Sequence, residues 1–482
     1  MSESFTFDFQ QILPDVILCL FGIIILLADP FVGRARKASL GTVGLFGILA
    51  AAIATVNMTG NDIVTVFSGM IIVDKFSLFF RFAFLLVSGL TLLASLDYLK
   101  RQNLNLAEYY ALVLFATVGM NLMAASNELI MVFLGLETLS ISCYILLGIR
   151  RSDARSNESA LKYFLLGSFS SAFFLYGIAM AYGATRTTNL EIIAARVLNG
   201  SANMSLIYLA AGLMFVGFAF KVAAAPFHVW TPDVYEGAPT PITAFMSVGP
   251  KAAGFAILTR VFWVAFPTVY NQWLTVAWVS AVLTMTIGNV VAIAQSNIKR
   301  MLAYSSIAHA GYILVAFASR EDGIAGVLFY ALAYAFMNIG VFTVVALIGR
   351  ENDRRINIED YAGIGFKQPL LAGCLSVFLL SLAGIPLTAG FAGKFFIFRA
   401  AIKSQLIWLA IIGVINSAIS VYYYLRIVVT MYMKESVEDF IPIKVPSSVA
   451  FVLCFTTFAT LQLGIYPDFF ISLAKSSILR LR

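Results

Sequence analysis

The sequence predicts an all-α polytopic membrane protein, and three observations predict it. Of 482 residues, 60% are hydrophobic and only 12% charged, with a mean hydropathy of +0.90; soluble domains carry about twice that charge fraction. Apolar runs long enough to cross a bilayer, which takes roughly 20 residues per helix, recur from Ile12 to Leu473 with short loops between them. Two runs are interrupted by proline close to a lysine, a pattern tolerated in a bilayer only where the freed backbone lines protein or water. Composition thus excludes an ordinary soluble enzyme. The net charge of +7 and pI near 9.1 point to basic cytoplasmic loops rather than to nucleic acid as a partner.

Windows of about 19 residues place the spans in order. The first, near 12–30, follows MSESFTFDFQ, which has no basic segment and is expected to insert uncleaved. Spans near 39–58, 76–97, 108–125 and 128–149 come next, parted by short polar stretches. The sixth, near 160–182, begins beyond a basic loop, and the seventh, near 204–225, runs into Pro226. Spans near 241–264, 273–295, 300–319 and 323–349 are again bounded by polar loops. The twelfth, near 369–399, contains Gly384-Ile-Pro386 and Gly390, which loosen a helix and free its carbonyls. Spans near 405–431 and 447–471 bring the total to about 14. Cys19, Cys143, Cys374 and Cys454 lie inside apolar runs without C-x-x-C spacing, and read as small buried hydrophobes rather than metal ligands.

The basic loops set the expected orientation. Arg34/Arg36/Lys37, Lys100/Arg101, Arg150/Arg151/Arg155, Lys299/Arg300, Arg350/Arg354/Arg355/Lys367 and Lys434/Lys444 all follow odd-numbered spans. By the positive-inside rule that side is cytoplasmic and both termini are outside, with Lys475, Arg480 and Arg482 weakening the contrast. Spans four to eight and nine to thirteen form two five-helix sets, each with one proline-broken, lysine-bearing helix. An odd number of spans starts the second set from the opposite face, the arithmetic of an inverted repeat. The expected division is 1–106 for three N-terminal helices, 107–265 and 266–432 for the repeats, and 433–482 for the last helix. The first set reads Lys221 then Pro226, the second Pro386 then Lys394.

Ionisable groups near the membrane centre cost about 2.5–3.5 kcal/mol each on insertion scales and usually face the protein interior. Glu137 in MVFLGLETLSISCYIL, Lys221 in GFAFKVAAAPFHVW, Lys251 in MSVGPKAAGFAIL and Lys394 in GIPLTAGFAGKFFIF are four such groups. The bland reading makes them ion pairs or lysines reaching to an interface, and Lys251 after Gly249-Pro250 fits a loop end. Arg81, Arg260 and Arg426 are expected to snorkel, and Glu158 with Lys162 to form a helix-surface pair. The sharper reading is proton work. Desolvation moves a lysine from its ordinary value near 10.4 toward neutrality, and a nearby carboxylate moves it back. His228 after Pro226 and His309 in YSSIAHAGY are relay candidates. Neither a phosphate-binding glycine loop nor H-E-x-x-H nor a cysteine cluster occurs, so energy must come from an ion gradient or a partner.

The block Lys221-Val-Ala-Ala-Ala-Pro226-Phe-His228-Val-Trp230-Thr-Pro232-Asp233-Val-Tyr-Glu236-Gly-Ala-Pro239-Thr-Pro241 resembles the signature of the antiporter-like subunits of respiratory complex I and the related multisubunit cation/proton antiporters. GLETLS, GPKAAGF, YSSIAHAGY and GIPLTAGFAGKF match the same family, so the resemblance spans the chain. It implies 14 helices with two inverted five-helix repeats, broken helices 7 and 12, and proton translocation within NADH:quinone oxidoreductase. It assigns Glu137 and Lys221 to a switch pair, Lys251 to a central relay and Lys394 to the broken twelfth helix, where lysine is unlike subunit M. His228, His309 and Lys162 match family positions as possible relay groups. NADH, FMN, iron–sulfur clusters and quinone are implied on other subunits, none on this chain, with subunits M and K as neighbours in a bacterial inner membrane. The alternatives are a subunit of a multisubunit cation/proton antiporter and the equivalent subunit of a ferredoxin-fed photosynthetic complex.

Overall fold

A computed structural model describes residues 8–33, 37–60, 63–104, 106–349, 353, 355–435 and 443–478. Arg34, Arg36, Arg350, Arg354, Arg480 and Arg482, used above for orientation, lie outside the described residues. The membrane helices are α1 (Leu13–Ala28), α2 (Ala38–Val56), α3 (Lys75–Arg101), α4 (Ala107–Ala125), α5 (Leu129–Leu147) and α6 (Ala154–Thr185). Then come α7 in two pieces (Met204–Val222 and Thr231–Gly237), α8 (Thr240–Ala265), α9 (Tyr270–Ile293), α10 (Ile298–Ala318) and α11 (Arg320–Ile348). The series ends with α12 in two pieces (Pro369–Ala383 and Ala389–Lys403), α13 (Ile407–Met433) and α14 (Ser447–Ile465). Among the described residues 13 helices are long and apolar enough to cross a membrane, and α12, split in two, makes the fourteenth crossing.

Three short elements were not expected: a hairpin of β1 (Val64–Val66) and β2 (Ile71–Val73), and helices Leu190–Leu198 and Asp468–Ser476. The hairpin pairs Val64 with Val73 and Val66 with Ile71, and turns through Phe67, Ser68 and Gly69, all at positive φ. The Asn127 N–H donates to Met70 O at 2.9 Å, and the Leu190 N–H donates to Asn127 O at 3.0 Å. Hairpin, α4–α5 loop and the Leu190 helix therefore occupy one side, the hairpin face. On the opposite face the Ile298 N–H donates to Ile356 O at 2.7 Å, and Arg150 and Tyr98 both reach Asp353.

The core sits where α8, α10 and α11 meet, since α8 and α11 are buried along their length and α10 nearly so. Close packing elsewhere rests on glycine. A Cβ on Gly119 of α4 would lie 2.6 Å from the Leu139 nitrogen of α5, and one on Gly288 of α9 would lie 2.6 Å from the Ala308 nitrogen of α10. Only glycine lets those backbones meet.

Both breaks are supplied with hydrogen-bond partners. The first piece of α7 ends where Ala223 turns left-handed (φ 60), and the freed backbone of Ala225 donates to Thr284 Oγ1 at 2.8 Å and accepts from Ser280 Oγ at 3.0 Å. Two hydroxyls of α9 thus satisfy groups that lipid could not. In α12 the left-handed residue is Gly384 (φ 90), and Ser381 Oγ accepts from the Gly390 N–H at 3.0 Å. The order of lysine and proline in the two sets now has a reason. The chain enters α7 from the hairpin face and α12 from the other, so a lysine on the hairpin side of each break precedes Pro226 and follows Pro386.

Three expectations need correction. Of the four cysteines read as buried, Cys143 alone is buried, Cys19 and Cys374 are half-buried and Cys454 is exposed on α14. Arg81 and Arg260 do not snorkel: both are 2% exposed. Arg81 pairs with Asp15 at 3.1 Å, while Arg260 holds Asp74 through two nitrogens at 3.0 and 2.8 Å; a carboxylate in reach makes the interior tenable for a guanidinium. Arg426 reaches the carbonyls of Ile293 and Gln295 at the end of α9. Lys251 is not at a loop end either, because Pro250 lies inside α8 and the helix continues to Ala265.

Candidate functional site

Lys221, one residue from the end of the first piece of α7, is 4% exposed. Its ammonium donates to Ser140 Oγ at 2.7 Å and Tyr163 OH at 3.2 Å. Trp230 takes the Phe220 carbonyl at 3.1 Å, capping the helix piece so that Lys221 is not needed there. Glu137 is half-buried on α5 and accepts from Ser171 Oγ at 2.5 Å. Among the described residues Glu137 and Lys221 form no direct ion pair within 4 Å. Lys221 and Ser171, the hydroxyl that holds Glu137, line one small cavity of about 10 Å³ together with Ser140 and Ser170, near the lower limit for one water molecule. The structure brings the two expected partners to one place without joining them.

Lys251, 4% exposed, donates to Ser306 Oγ at 2.5 Å and Ser306 O at 3.3 Å, and lies 5.5 Å from the Tyr235 ring. Gly254, one turn further along α8, lets the end of the first piece of α7 pack closely: a Cβ there would lie 2.9 Å from Val222 Cγ1, with the Lys221 stem beside it in ordinary contact. His309 is held between Tyr330 OH at 2.7 Å and Tyr424 OH at 3.0 Å, and Tyr424 shares a hydrogen bond with Ser305 at 2.5 Å. His228 is half-buried in the α7 break, with its Nδ1 buried and unpartnered, and the Lys251 charge reaches it.

Lys394, in the second piece of α12, is 3% exposed. Its ammonium donates to Leu382 O at 2.9 Å, Ala383 O at 3.0 Å and Ser417 Oγ at 2.9 Å, and sits 4.8 Å from the Tyr312 ring. Here the lysine itself caps the first helix piece, as a cation near a helix C-terminus should. A side chain on Gly384 would meet it: a Cβ there would lie 3.1 Å from Lys394 Cδ.

The three lysine-binding hydroxyls share one depth. Ser140 stands 11 residues from Leu129, Ser306 12 from Ala318 and Ser417 10 from Ile407. At 1.5 Å per residue they lie ~15–18 Å from the hairpin-face ends of their helices, near the middle of a core ~30 Å thick. Lys162 does not belong to this row. It pairs with Asp233 at 2.6 Å and Glu158 at 2.7 Å, and Arg300 also reaches Asp233 and Glu236, forming a partly exposed cluster. Sequence reasoning missed Lys299, which is 1% exposed and donates to Ala238 O at 2.6 Å. A Lys-Arg pair at a helix start reads as loop charge, and no local signal set Lys299 apart. Among the described residues no group of His, Cys, Asp and Glu is placed to hold a metal.

Comparison with known proteins places these features. A family model described as NADH:quinone oxidoreductase/Mrp antiporter, TM matches residues 126–420. The chain is 50% identical over 475 residues to the NADH-quinone oxidoreductase subunit N of Trichlorobacter lovleyi, covering 98% of this chain and 97% of that one. A chain of respiratory complex I from Thermus thermophilus with bound aureothin is 34% identical with a TM-score of 0.81, covering 96% of this chain and 99% of the other. A chain of an archaeal membrane-bound sulfane sulfur reductase, 24% identical with a TM-score of 0.87 and covering 98% and 97%, shares the fold.

Proposed function

The chain belongs to the family of antiporter-like, proton-translocating membrane subunits of NADH-quinone oxidoreductase, among its N subunits, and from that premise we propose how its own residues carry the proton. One observation carries the reading: three buried lysines at one depth, each on a hydroxyl rather than a carboxylate. A hydroxyl can accept from an ammonium and donate to a neutral amine, so the contact survives both protonation states.

The hydroxyls are not equivalent. Ser140 already donates to Leu136 O at 2.5 Å, which leaves Tyr163 as the hydroxyl free to turn its hydrogen toward a neutral Lys221 amine and hold it as a hydrogen-bond donor. At Lys394 two carbonyls can only accept, whereas the Ser417 hydroxyl, which donates to Ala383 O across a long 3.4 Å, is free to turn its hydrogen to a neutral amine. Ser417 is therefore the contact through which Lys394 exchanges its proton. His309 with Tyr424 and Tyr330 bridges the Lys251 and Lys394 ends of the row, its two ring nitrogens passing a proton by exchanging roles. Glu137 acts on Lys221 across the cavity that Ser171 and Lys221 line: proton delivery follows when the carboxylate's influence weakens. Lys162, with Asp233 and Arg300, gathers protons at the surface, and His228 stands beside that approach.

Quinone reduction elsewhere in the complex supplies the charge shift that drives the cycle, and NADH, FMN and the iron–sulfur clusters belong to other subunits. Other complex I subunits are this chain's partners, and we assign M and K as its neighbours. The basic loops after odd-numbered spans favour a cytoplasmic location for the face opposite the hairpin in a bacterial inner membrane. The two five-helix sets, 107–265 and 266–432, serve as the two halves of one proton route, with 1–106 and 433–482 as flanking support.

Replacing Lys221 with Ala tests the scheme. The complex should assemble and oxidise NADH with a lowered proton-to-electron ratio, measured in inverted membrane vesicles. An unchanged ratio sinks the proposal.

A further inference from the structure

Away from the lysine row, a cavity of about 610 Å³ opens between α3, α11, α14 and the short helix Asp468–Ser476. Its walls are apolar over their whole length: Leu78, Phe82 and Leu86 recur every four residues on α3, facing Phe336 and Phe458 across the groove. Its upper rim is polar, with the exposed Lys75 at the start of α3 and the exposed Gln462 near the end of α14, both at the hairpin face. From Lys75 to Leu86 α3 advances 11 residues, ~16 Å at 1.5 Å per residue, which is about half of a hydrocarbon core ~30 Å thick. The cavity is thus as deep as one leaflet, apolar where acyl chains lie and cationic where headgroups lie. Lys75 is exposed, and among the described residues it forms no ion pair within 4 Å.

We propose that this groove is a binding site for an anionic phospholipid of the hairpin-face leaflet, its acyl chain along α3 and α14 and its phosphate on Lys75. Lipid tails gain nothing by leaving other lipid for an apolar wall, so the wall alone retains no particular lipid. Selection rests on the charge at the rim: a lysine near the headgroup plane attracts anionic lipid. The exposed amide of Gln462 adds a hydrogen-bond partner for phosphate or glycerol oxygens.

The test uses the whole purified complex carrying a benzophenone amino acid in place of Phe458, reconstituted in vesicles of equimolar phosphatidylglycerol and phosphatidylcholine. Irradiation followed by mass spectrometry of this chain should show a phospholipid adduct in which phosphatidylglycerol predominates. Lys75→Gln, at a surface position, should reduce that preference about fivefold. A crosslink to another polypeptide would overturn the proposal, because the groove would then hold a neighbouring subunit's helix. Equal capture of the two lipids, or a preference untouched by Lys75→Gln, would overturn it as well.

Discussion

At Lys394 a single hydroxyl decides the chemistry. Two carbonyls occupy the other hydrogen-bond positions, so removing the Ser417 hydroxyl leaves the amine without a route for its proton. Ser417→Ala is expected to slow proton transfer through Lys394 about 10²-fold, the contribution typical of one positioned proton-transfer group, and so to lower the proton-to-electron ratio as Lys221→Ala does, while Ser417→Thr restores it; protons moved per NADH oxidised in inverted membrane vesicles read the difference. The buried arginines respond differently, because their work is structural. Asp74→Asn leaves Arg260, 2% exposed, without its charge partner. The loss of one partner of a buried pair costs about 3–5 kcal/mol, and should appear as a lower thermal transition and less subunit in the membrane. These arginines also mark where the sequence fell silent. Arg81 finds Asp15 and Arg260 finds Asp74 across 66 and 186 residues, so each looked like a lone charge near a span end. The lysines were legible because nothing polar surrounds them in the chain, whereas the tyrosines that hold them come from other helices and carry no local mark.

Helices were the most readable elements, since a run of 20 apolar residues has few other uses. Both breaks were visible through Pro226 and Gly384-Ile-Pro386, but the hydroxyls that satisfy them, Ser280 and Thr284 of α9 for the first and Ser381 of α12 itself for the second, were not. Thr284→Val, nearly the same in volume, should leave the Ala225 N–H buried and unpaired, at a cost of about 1–3 kcal/mol, seen as a lower unfolding temperature of the detergent-solubilised complex. Packing at the helix crossings makes a sharper contrast. Gly288→Ala places a methyl 2.6 Å from backbone and should destabilise the α9–α10 pair, whereas Gly212→Ala, with nothing within 4 Å, should be neutral or slightly stabilising. Equal effects would mean that close approach of α9 and α10 is not required. The hairpin escaped notice because strands of three residues set in a short loop offer no alternation to detect.

For the whole molecule, the two faces differ in charge and construction, and orientation follows from which meets the cytoplasm. A membrane-impermeant maleimide should label Ser152→Cys only in inverted vesicles and Ser201→Cys only in intact spheroplasts; the reverse pattern would invert the assignment. The common depth of Ser140, Ser306 and Ser417 has a further consequence. A proton handed along that row travels sideways and crosses almost none of the membrane voltage, which acts with about 2.3 kcal/mol per elementary charge per 100 mV on movement along the normal. Electrical back-pressure is felt at the two doors and not in the corridor between them. An imposed potential of about 100 mV should therefore slow proton delivery by the normal complex more steeply than delivery by a Ser417→Ala variant, in which the step inside the corridor limits the rate.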